Sequence, residues 1–128
     1  MNRNILIFDD EKDILDICTI ILEGKGYKVF TSTSCKNLFE IISNAAPSVI
    51  VMDNKIPDIG GVMAIQQIKS DPNTMNIPVI FFSANAHISV LSAQAGADHF
   101  LQKPFDLADF EDMLDKTADN NLHLSKTV

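Results

Sequence analysis

Short unbroken apolar runs alternate along this chain with stretches in which apolar residues recur every three or four positions. The first run, residues 5–8, ends at Asp9 and Asp10 and reads as a strand buried on both faces. From Glu11 the period changes, and Ile14, Ile17, Cys18, Ile21 and Leu22 fall on one helical face. Asp10 or a neighbour caps that helix, and Gly24 with Gly26 marks its end. Residues 27–31 read as a short strand and 32–34 as a polar turn and cap. Leu38, Ile41, Ile42 and Ala45 repeat the helical spacing until Pro47 stops it. Residues 49–52 are a second apolar run, ending in Asp53. After a loop at 58–61, residues 62–69 are predicted helical, with Ile65 and Ile68 on one face, until Asp71-Pro72-Asn73 breaks the pattern. A third apolar strand, 77–82, ends at Ser83. Weak helical character at 88–95 closes at Gly96, and a short strand at 99–102 leads into Lys103-Pro104. Asp106 then caps a last helix that turns Leu107, Phe110 and Leu114 inward.

Five strands and five helices in strict alternation predict an α/β fold. Its expected core is a five-stranded parallel sheet with right-handed crossovers and helices on both faces. The flavodoxin-like, doubly wound strand order 2-1-3-4-5 makes the first and third strands neighbours. At 128 residues the chain is expected to hold one domain, residues 1–118, with a polar, aperiodic C-terminal tail at 119–128. With 46% hydrophobic and 21% charged residues the mix is that of an ordinary globular protein. A net charge of -7 argues against direct nucleic-acid binding, which needs clustered Lys and Arg. The apolar runs are far below the roughly 18 residues that cross a bilayer, so no membrane insertion is expected. The first residues do not read as a secretory signal, so none is expected. Cys18 and Cys35 form no disulfide framework, which makes a cytoplasmic location the expectation.

In open sheets of this kind, chemistry sits beyond the carboxyl ends of the strands. Those ends carry Asp9, Asp10, Asp53, Ser83 and Lys103. Three carboxylates converging on one pocket repel each other and call for a cation or a proton. A hard divalent ion with oxygen ligands, Mg2+, answers that need and leaves positions for water and phosphoryl oxygens. Asp53 suits a nucleophile that forms an aspartyl-phosphate, with the hydroxyl of Ser83 and the ammonium of Lys103 sharing the transferred charge. Singly, each residue has a plainer reading: a helix cap, the start of a loop, a turn serine, a surface lysine. Their joint placement at the ends of four strands favours the shared site. His87, His99 and His123 are scattered without metal-ligand spacing, and both cysteines read as ordinary thiols.

The stretches at residues 5–11, 49–53 with Pro57 and Gly61, 78–84 and 96–105 together resemble the receiver domain of bacterial two-component response regulators, over about residues 3–117. The resemblance implies that Asp53 is the phosphoacceptor, charged by a sensor histidine kinase or histidine phosphotransfer protein. It implies Asp10 and Asp53 as direct Mg2+ ligands, the backbone carbonyl of Lys55 as a third, and Asp9 assisting through water. By the same likeness Ser83 is the switch hydroxyl, Lys103 the amine that pairs with the phosphoryl group, and Phe100 an aromatic rotamer switch. Lys55 and Asn85 occupy positions that tune autodephosphorylation. The sequence also departs from the family pattern. Ser83 replaces the commoner threonine, Phe100 lacks a phenolic hydroxyl, and Gly60 stands where aspartate is common. The region from Ser83 to Lys103 is short, so the fourth helix is expected to be shortened or irregular.

The implied function is a single-domain response regulator that acts on a downstream protein target or relays its phosphoryl group. It catalyses its own phosphorylation and dephosphorylation but is not a turnover enzyme. The alternative is a phosphorylation-independent protein-binding module on the same fold. An aspartate-nucleophile phosphatase of the haloacid-dehalogenase type would want Asp-x-Asp after the first strand. A flavin carrier would need a phosphate-cradling loop where Asp9-Asp10-Glu11 stands.

Overall fold

The computed structural model describes residues 3–127, with side chains as far as Thr117. Ten elements alternate: β1 (Asn4–Phe8), α1 (Lys12–Gly24), β2 (Lys28–Ser32), α2 (Leu38–Ala45), β3 (Val49–Asp53), α3 (Gly61–Ser70), β4 (Val79–Ser83), α4 (Ile88–Ala95), β5 (His99–Gln102) and α5 (Leu107–Thr127). The strands form one sheet in the order β2-β1-β3-β4-β5, every pair parallel. This is the predicted doubly wound α/β architecture.

The continuous apolar runs follow from burial on both sides. Alternate residues of a strand face opposite ways. Leu6, Phe8, Ile50, Met52, Val79 and Phe81 join a core with Leu38 and Ile42 of α2, Ile65 and Ile68 of α3 and Ile88 of α4. Their neighbours Ile5, Ile7, Val49, Val51, Ile80 and Phe82 join a second core with Leu15, Cys18 and Leu22 of α1 and Phe110 and Leu114 of α5. Every residue of β3 and β4 is buried. No helix among the described residues is long and apolar enough to cross a membrane.

Several local expectations are corrected. In α1 the buried stripe is Leu15, Cys18 and Leu22, while Ile17 is 50% exposed beside a cavity. Apolar spacing does not separate a core-facing residue from one lining a cleft. Of Asp10 and its neighbours, Glu11 is the α1 N-cap residue, without a side-chain bond. The carboxylate that accepts its N–H is Asp9. The second strand begins at Lys28, and the polar turn at Ser34 leads to Asn37, in left-handed backbone, as the α2 N-cap. Leu107 is 38% exposed rather than inward. The region expected to be a polar tail continues the α5 backbone to Thr127, as helix propagation costs far less than nucleation. Its side chains, and Val128 altogether, lie outside the described residues. The fourth helix is short, with eight residues, but regular.

Candidate functional site

Strand register brings the predicted residues to one edge. Phe8 stands beside Met52, Asp53 beside Phe82 and Ser83 beside Gln102, so the chain leaves β1, β3, β4 and β5 at one level. Asp9 is fully buried. Its Oδ1 accepts the N–H of Glu11 at 2.9 Å and its Oδ2 accepts Lys103 Nζ at 2.9 Å. Asp53, the last residue of β3, is 3% exposed. Lys103 Nζ lies 2.9 Å from its Oδ1, and the backbone N–H of Lys55 donates to its Oδ2 at 3.1 Å. One ammonium therefore bridges two buried carboxylates. Asp10 is exposed, and carboxylate oxygens of Asp9, Asp10 and Asp53 lie within 4.8 Å of one another.

Ser83 ends β4 and is 2% exposed. Its Oγ accepts the N–H of Asn85 at 3.0 Å, and Asn85 Oδ1 accepts the N–H of His87 at 2.7 Å. Lys103 is tied to the same strand end, its N–H donating to the Ser83 carbonyl at 2.8 Å. The Lys103–Pro104 peptide bond is cis. Asp53, Lys55, Ser83, Asn85 and Lys103 all line a cavity of about 430 Å3. A second cavity, about 510 Å3 and lined mostly by apolar side chains, adjoins it across Glu11, Ala84 and Lys103.

The loop beyond Asp53 is fixed by close backbone approach. Asn54 donates to the Phe82 carbonyl at 2.8 Å and Gly61 to the Asn54 carbonyl at 3.0 Å. A Cβ on Gly61 would lie 2.4 Å from the Asp53 carbonyl oxygen, so only glycine fits.

Burial raises the Asp53 carboxyl above its ordinary value. Lys103 works against this and the charge of Asp9 adds to it. Burial pulls Lys103 down, but its bonds to Asp9 and Asp53 outweigh that and leave its ammonium above the usual lysine value. Cys18 is pushed up to about 11 by burial and by Asp9, and burial lifts Cys35 to about 11. Both thiols are poor nucleophiles.

The structure thus brings together Asp9, Asp10, Asp53, Lys55, Ser83, Asn85 and Lys103. Phe100 stands apart, 42% exposed on the edge strand β5. The sequence reading missed Asn54, Glu11 and Ala84 on the cavity wall. It also missed a triangle of rings, Phe82, Phe105 and Phe110, behind the lysine loop. Of these, Glu11, Phe82, Ala84 and Phe105 stood inside the motif stretches.

A parallel sheet with an acid cluster at its carboxyl edge places the chain among open α/β folds that bind their ligands beyond the strand ends. The comparisons narrow this class. Residues 5–115 match the response regulator receiver domain family, and the chain belongs to that family, which serves two-component signalling. It is 36% identical to the response regulator SaeR of Staphylococcus aureus over 104 residues, 80% of this chain and 44% of SaeR. The chain thus spans under half the length of the curated relatives it matches. Among solved structures it is similar to a CheY-like receiver domain protein from Methanospirillum hungatei JF-1, with a TM-score of 0.86 and 27% identity over 96% of this chain and 98% of that one. The receiver domain of sensor histidine kinase PA1611 from Pseudomonas aeruginosa shares the fold, with a TM-score of 0.82 and 23% identity over 93% of this chain and 99% of that one. That domain carries a magnesium ion in its active-site cleft.

Proposed function

We propose that the chain is a phosphorylation switch in which Asp53 takes a phosphoryl group from the phosphohistidine of a sensor histidine kinase or histidine phosphotransfer protein. One observation carries this reading. A buried carboxylate, Asp53, sits 2.9 Å from the ammonium of Lys103, on the wall of a cavity that Ser83 shares. In the transfer an Asp53 oxygen bonds to phosphorus as the donor's P–N bond breaks, and the imidazole nitrogen keeps the electron pair. Lys103 meets the charge on one phosphoryl oxygen. Ser83 Oγ accepts from Asn85 with a lone pair, which leaves its proton free to donate to another.

Asp10, Asp53 and the Lys55 carbonyl would hold Mg2+, with Asp9 assisting through water. Three carboxylates and one ammonium leave two negative charges, the complement of one divalent ion. Asp9 is fully buried and, unlike Asp10 and Asp53, does not line the cavity, which suits an indirect role. When bound, the ion neutralises charge on the transferring group. The magnesium ion in the PA1611 receiver domain supports this assignment. The chain promotes its own phosphorylation and dephosphorylation rather than turning over a substrate, and it acts on a protein target or relays the group.

Intact-protein mass after incubation with Mg2+ and acetyl phosphate tests the reading. Wild type should gain one phosphoryl group, Asp53→Asn none, and EDTA should abolish the gain. No adduct, together with no binding of Mg2+-beryllofluoride, would leave the phosphorylation-independent binding module.

A further inference from the structure

We propose that Phe105 is a positioning residue for Lys103, holding the ammonium between Asp9 and Asp53 by clamping the loop from which the lysine springs. The assignment rests on the phosphorylation reading and adds a residue to it.

Lys103 lies on a long flexible stem, and residues 103–106 between β5 and α5 have no regular structure. The hydrogen bond from the Lys103 N–H to the Ser83 carbonyl fixes only the start of that segment. Two residues further on, Phe105 turns its ring into the core. Its centroid is 4.7 Å from Phe82 and 5.7 Å from Phe110, and those two rings are 5.0 Å apart. Phe82 and Phe110 are almost completely buried, so two fixed rings hold one movable one. Phe82 is also the chain neighbour of Ser83. The same ring therefore ties the lysine loop to the strand end that carries the switch hydroxyl.

On the other side Phe105 faces open space. With Pro104, Leu107, Ile14, Ile17 and Cys18 it lines the cavity of about 510 Å3. No packing on that side stops the loop from moving if the ring is removed. The carboxylates sit on β1 and β3 or just beyond them, and of this loop only the Lys103 ammonium is bonded to them. Removing the ring should loosen Lys103 and leave the metal ligands in place.

The test compares full-length wild type, Phe105→Ala, Phe105→Leu, Lys103→Ala and the Phe105→Ala/Lys103→Ala double variant. All are assayed at a temperature where melting curves show each one folded. Phosphorylation by acetyl phosphate at saturating Mg2+ is followed by intact mass, and Mg2+ binding alone by calorimetry. Phe105→Ala should slow phosphorylation about tenfold, since a small misplacement of a catalytic group is costly. Its Mg2+ affinity should not fall below that of wild type, as the metal ligands stay in place and the ammonium that competes with the ion is loosened. Phe105→Leu should recover most of the rate, as a bulky apolar side chain refills the gap. In the Lys103→Ala background the Phe105 substitution should have no further effect. An equal slowing in that background, or no slowing in the wild-type background, overturns the assignment. Should Phe105→Ala not fold, Phe105→Val, which fills less of the gap than leucine, carries the same cycle. A wild type that accepts no phosphoryl group overturns the proposed function itself, and this assignment with it.

Discussion

Replacing Gly61 by alanine tests how the acceptor loop is built. The new Cβ would lie 2.4 Å from the Asp53 carbonyl oxygen, 2.8 Å from Asn54 Cα and 3.0 Å from the Asp53 carbonyl carbon. All three atoms are backbone, so no side chain can rotate away. Relief needs a shift of about 1 Å between the end of β3 and the start of α3. That shift breaks the Gly61–Asn54 hydrogen bond, at about 1 kcal/mol, and adds overpacking strain of about 2 kcal/mol. A loss of about 3 kcal/mol lowers the melting temperature of a domain of this size by about 10 °C. The control is Gly24→Ala at the end of α1, where a Cβ meets nothing within 4 Å. There alanine should be neutral or stabilising by up to about 1 kcal/mol. Thermal melts followed by circular dichroism read both variants, and phosphorylation by acetyl phosphate reads the displaced Asp53. A Gly61→Ala protein that melts within 2 °C of wild type, by the same scale, and phosphorylates at the same rate would refute the reasoning.

Three further outcomes are expected. Burial raises Asp53 in the folded state above its unfolded value, so its contribution to stability is complete below the unfolded value and is lost as pH rises through the folded one. In EDTA, wild type should therefore gain stability relative to Asp53→Asn as pH falls from neutrality towards the ordinary carboxylate value of about 4. Paired denaturant melts would contradict this if the gap stayed flat. Lys55 is exposed on the cavity wall, where its side chain can shield the phosphoryl group from water. Lys55→Ala should shorten the phosphorylated lifetime, and an unchanged hydrolysis rate would sink that role. Lys69 Nζ contacts Asp98 at 2.7 Å and the Ile77 and Met75 carbonyls at 2.8 and 3.2 Å, joining α3 to the segments around β4. Lys69→Met should cost about 2 kcal/mol, allowing for the partial exposure of Asp98. A urea midpoint equal to that of wild type would exclude it.

Much of this architecture was legible in order along the chain. The runs at β1, β3 and β4 are unbroken because both faces of each strand are buried, and each ends where its site residue stands. Gly96 and Pro47 marked helix ends for reasons of backbone geometry that no tertiary contact altered. Partition among neighbours was less legible. Ile17 and Leu107 carry the same apolar signal as Leu15 and Phe110 but line a cleft rather than fill a core. The bridging role of Lys103 also escaped the sequence, because it depends on where two carboxylates from other strands stand. The reason for Gly61 lies in a distance to a carbonyl, which no spacing encodes.

Lys103 and Asp9 are 94 positions apart in the chain, yet one hydrogen bond joins them. The groups of the acceptor site come from the ends of four strands or the turns after them. A sheet that slipped by one residue would turn each apolar side chain to the wrong face and scatter the charges. The ability to take up a signal is therefore a property of the finished fold alone. On the proposed function, a kinase that met a half-made or misregistered chain would find nothing to charge. The site acts as an inspection stamp, and signal enters only through molecules able to transmit it.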